Sequence, residues 1–218
     1  MDVDVINSER LSVAVQTRSC EKPQFSALSA GEAKSGLKFE INRIPVPAHR
    51  YTPLKKNWSK LYEPLVTHLK LQVRMNLRKK CVEVRNSAYT KDIGHLQRAT
   101  DFINAFMMGF DVNDAVAMLR LDDLYIDTFD ICDVKTLRGD HLSRTIGRIS
   151  GKDGRTKYAI ENSTRTRIVL ADSTIHILGS FQNIRIAKDA ICDLILGSPP
   201  GKVYGNLKIA ASRMHSHF

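Results

Sequence analysis

A segment that occurs twice constrains this 218-residue chain more than any other feature. Residues 95–109, HLQRATDFINAFMMG, overlay residues 183–197, NIRIAKDAICDLILG, at a constant offset of 88. Leu96, Ala99, Ile103 and Phe106 form an apolar stripe at helical spacing, and Ile184, Ala187, Ile191 and Leu194 repeat it. A glycine follows each stripe, Gly109 and Gly197, where a helix would end. The chain is therefore expected to hold two related units rather than one continuous fold.

Upstream of each helix lies a hairpin. Leu71–Leu77 alternates apolar and polar residues, and Val82-Glu-Val84 follows after Lys79-Lys80. In the second unit Arg167–Leu170 turns at Ala171-Asp172-Ser173 into Ile175-His-Ile177. Lone strands are expected ahead of each hairpin, at Phe39–Ile41 and Phe129–Val134, each followed by helix-compatible sequence. In the first unit a helix is expected from Pro53 with Thr52 as its cap, and Pro64 marks the place for a loop. Trp58 and Tyr62, four residues apart, read as packing rather than stacking. Each half thus reads strand, helices, two strands, long helix, an α+β unit of normal domain size.

Charge follows the same division. The chain has 33 Lys+Arg and 23 Asp+Glu, net +10. Residues 38–98 are net +10, residues 111–133 are net −6 with seven aspartates, and residues 138–167 are net +5. Residues 1–36 are net −1, carry no hydrophobic period, and are expected to form a flexible arm. Two basic blocks flanking an acidic one suit a polyanionic partner. No apolar run approaches the ~18 residues a membrane helix needs, and the start MDVDVINSER is unlike a signal peptide. Cys20, Cys81, Cys132 and Cys192 are scattered, which predicts ordinary thiols in a reducing compartment and no zinc site.

The segment most informative about function is Ile146–Ile160. A helical pattern through Leu142, Ile146 and Ile149 breaks at Gly151-Lys152-Asp153-Gly154 and resumes with Tyr158 and Ile160. Two glycines three apart permit backbone shapes closed to other residues, and a following helix start favours an anion. Lys152, Arg155 and Lys157 add positive charge. The arrangement suits a sugar-phosphate chain, whereas a mononucleotide loop of the GxxxxGK[ST] type is absent.

Helix, GxxG, helix and strand in this order resemble the KH family, whose loop clamps about four nucleotides of single strand. Ile160, Thr164 and Arg167-Ile168 stand where a KH module has its helix apolar residue, its threonine and the start of its strand. The resemblance implies an α+β fold of two tandem KH-like units, each a three-stranded antiparallel sheet of type I packed against helices. They are expected over residues 37–121, degenerate and without GxxG, and over residues 122–218, with a C-terminal extension. In the groove so implied, bases lie on Ile149 and Ile168 while Lys152 and Arg155 meet phosphates. Arg148, Arg165 and Arg167 supply rim charge; Ile146 and Ile160 belong to the core. Asp153 departs from the usual lysine or glycine and should turn its carboxylate away from phosphate. Arg74, Arg78, Lys79 and Lys80 form a basic hairpin in the first unit that is a candidate second RNA contact, or equally a solvated tip.

Longer strings carry the likeness further. RIPVPAHRYTPLKKNW, LRGDHLSRTIGRISGK, TRTRIVLAD, HILGSFQNI and PPGKVYGN are similar to the partner-of-Nob family of small-subunit ribosome assembly factors, over about residues 38–218. That resemblance implies binding of pre-rRNA near the 3′ end of the small-subunit rRNA. It also implies work alongside the Nob-type PIN endonuclease and a dimethyladenosine transferase. Residence in the nucleolus and nucleus, with transit to the cytoplasm on precursor particles, follows from the same likeness. The arm shows no clear basic import run.

Other classes remain for comparison. An enzyme would have to use Asp122, Asp123, Asp127, Asp130 and Asp133 to hold Mg²⁺, but in an alternating strand Asp130 and Asp133 point to opposite faces and no base accompanies them. A solvated acidic connection, or a surface for a basic partner, is the expectation, with no catalytic residue, cofactor or metal; His215 and His217 read as a frayed end. A KH protein regulating mRNA, or a protein scaffold with a vestigial loop, would share the same fold.

Overall fold

The computed structural model describes residues 40–216 apart from 91 and 93, so the expected arm, with Cys20, lies outside the described residues. Two units of the same plan follow one another. In the first, β1 (Ile41–Pro45) leads through a 3-10 turn at Ala48–Arg50 into α1 (Tyr51–Lys56) and α2 (Trp58–Thr67). The hairpin β2 (Gln72–Asn76) and β3 (Cys81–Arg85) comes next, then α3 (Gly94–Met108) and α4 (Val112–Arg120). In the second, β4 (Tyr125–Asp130) precedes the short α5 (Ile131–Val134), then α6 (Asp140–Ser150) and α7 (Arg155–Thr164). The hairpin β5 (Arg167–Ala171) and β6 (Thr174–Gly179) leads to α8 (Phe181–Leu196) and α9 (Pro200–Ser216).

Both sheets are antiparallel with the third strand in the middle, ordered β1-β3-β2 and β4-β6-β5. Ile44 pairs with Val82 and Val73 with Val84; Ile126 pairs with Leu178 and Ile168 with Ile177. The repeated stripes are buried as their spacing requires: Leu96, Ala99, Ile103 and Phe106 under the first sheet, Ile184, Ala187, Ile191 and Leu194 under the second.

Several sequence expectations shift. β1 begins at Ile41, with Glu40 ahead of it outside the strand, and the expected strand start at Phe39 lies outside the described residues. β4 lies earlier than Phe129–Val134 because Asp130 and Asp133 form a capping box that starts α5: Asp130 N donates to Asp133 Oδ2 at 3.1 Å. These two carboxylates are therefore a helix start, not opposite faces of a strand. The first helix opens at Tyr51, ahead of Thr52 and Pro53. Pro64 falls inside α2, where its missing N–H forfeits one helix bond without ending the helix, since Leu61 and Leu65 stay buried. The break between helices is instead the single residue Asn57, with φ −101°. The acidic stretch contains α4, a helix that charge counting alone does not reveal. His215 lies within α9, so the helix runs into the segment expected to fray; His217 is outside the described residues.

The two units share packing. Strand alternation sends Ile175 and Ile177 of β6 into the second core, while Leu178 points the other way and is buried in the first. Leu124, Ile126 and Val169 join it there. The α3–α4 corner sits so close that a Cβ on Gly109 would lie 2.9 Å from Val169 Cγ1. The Leu178 end of the back of the second sheet is thus covered by the first unit, while Thr128 on the same face stays exposed.

Candidate nucleic-acid interface

The glycine loop is positioned by the helices on either side of it. α6 ends where Gly151 N donates to Gly147 O at 2.8 Å and the backbone swings to φ 74°. Lys152–Gly154 then form one 3-10 turn, with Asp153 at φ 54° and Gly154 at φ 76° before α7 begins. A side chain at position 151 would collide with Thr156 Oγ1 and lie 2.8 Å from Thr156 N, so only glycine lets the loop fold onto α7. Asp153 adopts the left-handed region that Asp tolerates better than most residues. No side chain caps α7, which leaves its first turn open toward the loop.

Sequence candidates divide into three groups. Lys152, Asp153 and Arg155 are exposed on the loop and the start of α7. Lys157, one turn on, stands 3.8 Å from the buried Glu161 carboxylate. Glu161 in turn accepts from Ile168 N at 2.7 Å, taking an edge-strand donor that faces the groove. Arg165 and Arg167 are exposed at the far end of α7, about 15 Å from its start at 1.5 Å per residue. Arg167 Nε donates to Asp114 Oδ1 of α4 at 3.1 Å, a partner that pushes the guanidinium's pKa up. The basic rim therefore joins the loop to the first unit.

The expectation that bases lie on Ile149 and Ile168 is corrected. Ile149 and Ile168 are 1% and 2% exposed and belong to the second core, packed inward from their helix and strand rather than outward. They cannot be open platforms for bases. Arg148 is exposed, but its Nη1 donates to Leu194 O at 3.3 Å, so it serves the end of α8. Tyr158, expected to resume the apolar face with Ile160, instead stands 55% exposed while Ile160 is buried.

On the first unit, Arg74 Nε donates to Glu83 Oε2 at 2.6 Å, which ties it to the sheet. Arg78, Lys79 and Lys80 are exposed in the connecting turn. The single-residue break at Asn57 offers no counterpart of the GxxG loop. Asp122 pairs with Arg98 at 2.8 Å and Asp127 with Lys188 at 2.8 Å, so these acids are occupied by ion pairs. Among the described residues no three His, Cys, Asp or Glu side chains gather where they could hold a metal ion.

Sequence reasoning missed the support behind the loop. Tyr204 of α9 donates from its hydroxyl to Thr156 Oγ1 at 3.1 Å, directly beneath Gly151. Val203 and Leu207 anchor α9 in the second core. The only signal for this was an apolar pair four residues apart after Pro200.

Comparison with known proteins agrees with this geometry. Residues 128–212 match the model of the eukaryotic type KH-domain, KH-domain type I, which runs on through most of α9. The chain is 66% identical over 197 residues to pre-rRNA-processing protein PNO1 of Candida albicans, covering 90% of this chain and 71% of that protein. It is 65% identical over 192 residues to the pno1 protein of Schizosaccharomyces pombe, covering 88% and 80%. Among solved structures, Dim2p from Pyrococcus horikoshii OT3 superposes with a TM-score of 0.66 at 26% identity, covering 78% of this chain and 98% of that one. A chain of an a/eIF2alpha–aDim2p–rRNA complex from the same organism superposes with a TM-score of 0.70 at 24% identity, covering 83% and 99%. With two sheets of KH order, a GxxG loop in the second unit alone, and identity at this level along nine-tenths of its length, the chain belongs to the PNO1 family of pre-rRNA-processing proteins, the partner-of-Nob family.

Proposed function

We propose that this protein is an RNA-binding assembly factor of the small ribosomal subunit that grips single-stranded pre-rRNA near the 3′ end of the small-subunit rRNA. The observation that carries the reading is the Gly151–Gly154 loop, with exposed Lys152 and Arg155 beside the uncapped first turn of α7. Backbone donors and two cations in that place suit consecutive phosphates. Relatives named for pre-rRNA processing, and a structural neighbour solved in a complex with rRNA, support the choice of RNA class.

On this reading the protein performs no chemistry of its own. It occludes the segment around the 3′ end and helps position the Nob-type endonuclease and the dimethyladenosine transferase that act there. The first unit docks through charge, with Lys79 and Lys80 at its tip. The protein works in the nucleolus and nucleus and leaves with precursor particles for the cytoplasm.

Ultraviolet crosslinking with sequencing tests this directly. Crosslinks should concentrate at the 3′ end of the small-subunit pre-rRNA. Crosslinks spread over many messages would replace it with mRNA regulation. The double variant Lys152→Glu/Arg155→Glu should lose single-strand binding and reduce the salt exponent by roughly 0.7 for each phosphate it no longer neutralises. Unchanged affinity would make the loop vestigial and the protein a scaffold.

A further inference from the structure

With Ile149 and Ile168 buried, the groove needs an apolar surface from elsewhere to receive a base. We propose that Tyr158 supplies it, as a stacking platform for the base of a nucleotide next to the phosphates held by the loop; this rests on the RNA-binding reading above. Tyr158 lies four residues after Gly154, one helical turn along α7, and remains 55% exposed. Its ring is laid against the loop itself: a Cβ on Gly154 would lie 2.9 Å from Tyr158 Cε2 and 3.3 Å from Cδ2. Gly154 thus does two things, adopting φ 76° and leaving room for the ring.

The surroundings favour a nucleotide over other apolar partners. Lys157 Nζ stands 5.4 Å from the ring centroid, and Lys152 and Arg155 flank the same turn. An aromatic face among cations, joined to a phosphate-binding loop, matches the composition of single-strand binding surfaces, where bases stack and phosphates pair with charge. Asn162 and Arg165 continue the exposed stripe at i+4 and i+7. A strand leaving the loop along this face meets Tyr158 first. The ring reads no base edge, so it should tolerate any base and favour purines through their larger stacking area.

Fluorescence anisotropy with the full chain and fluorescein-labelled ten-nucleotide oligoadenylate tests the proposal. Tyr158→Phe keeps the ring and should bind within about twofold of the unaltered protein, while Tyr158→Leu should bind about tenfold more weakly, within the range expected for removing one stacked base. An oligonucleotide with abasic sugars throughout offers phosphates alone, and on it Tyr158→Leu and the unaltered protein should bind alike. A purely structural loss would persist on the abasic strand and would overturn the proposal, as would equal losses in the Phe and Leu variants. If Tyr158→Leu binds normally while Lys152→Glu/Arg155→Glu does not, the platform is refuted and the RNA-binding reading stands. Failure of the Lys152/Arg155 variant to weaken binding strikes the RNA-binding reading itself. Should Tyr158→Leu fail to fold, photocrosslinking of the unaltered protein to a 4-thiouridine ten-mer decides: adduct mapped to Tyr158 supports the platform, and adducts only elsewhere refute it.

Discussion

At the scale of single residues, burial and pairing decide which of many charges are available to a ligand. Glu83 is 5% exposed on the face of the first sheet turned away from its helices. Arg74 donates to it at 2.6 Å, Asn76 Nδ2 donates at 3.2 Å, and Arg43 stands 3.6 Å away. The Arg74 bond, ahead of the others, holds the Glu83 carboxyl below its usual value of 4.5. A carboxyl depressed in the folded state takes up protons more readily once unfolded. Its stabilisation is therefore present above its unfolded pKa and lost as pH falls through the folded one. Thermal melts of the unaltered protein should lose midpoint below about pH 4.5, and Glu83→Gln should flatten that limb while lowering the midpoint at pH 7. An unchanged acid limb in Glu83→Gln would mean that other carboxyls govern it. Residue types and spacing were legible here, but the pairing was not. Arg74 reads as a free cation in the sequence because its partner lies nine residues away on the next strand. Ile149 and Ile168 read as groove residues for the same reason: a one-dimensional pattern does not say toward which neighbour an apolar side chain points.

Elements carry the repeat, and comparison of its two copies separates backbone effects from packing. Gly109 and Gly197 close equivalent helices at φ 120° and 110°, a region that disfavours any side chain. They differ in what surrounds them. A Cβ on Gly109 would lie 2.9 Å from Val169 Cγ1, whereas on Gly197 the nearest atom is Arg148 Nη1 at 3.8 Å, the end of a flexible side chain. Gly197→Ala should therefore cost only backbone strain, about 1–3 kcal/mol. Gly109→Ala should cost that and roughly 1–3 kcal/mol more for the forced shift of the α3–α4 corner from β5. Equilibrium urea unfolding compares them, and equal losses would show that the corner yields freely. The element order of both units was readable because amphipathic period and glycine position are local properties. Boundaries moved where local chemistry competes: the Asp130–Asp133 capping box cut a strand short, and Pro64 stayed inside a helix held by Leu61 and Leu65.

For the whole molecule, the decisive contact is the back of the second sheet against the first unit. Leu178, 4% exposed, is a second-unit residue in the first unit's core. Leu178→Ala should lower stability by about 2–5 kcal/mol, as for other buried leucines, and broaden unfolding as the units lose their shared core. Asp114→Ala, which breaks only the half-exposed pair with Arg167, should cost less than about 1 kcal/mol. A loss for Leu178→Ala as small as that for Asp114→Ala, measured by calorimetry, would mean the units hold together by other means. This packing gives the clamp-less unit a structural task, since its α4 borders the far end of the α7 groove through Asp114. By itself the sequence determined that there are two KH-like units and that only the second has a glycine loop able to approach phosphates. Those properties are set by spacing, turn residues and charge within short stretches of chain. Only the tertiary structure decided that α9 braces the loop through Tyr204, that Ile149 and Ile168 are core while Tyr158 is open, and that Arg167 answers to Asp114. Each of those depends on which distant segments meet, and a side chain's exposure is a property of its neighbours rather than of its place in the chain.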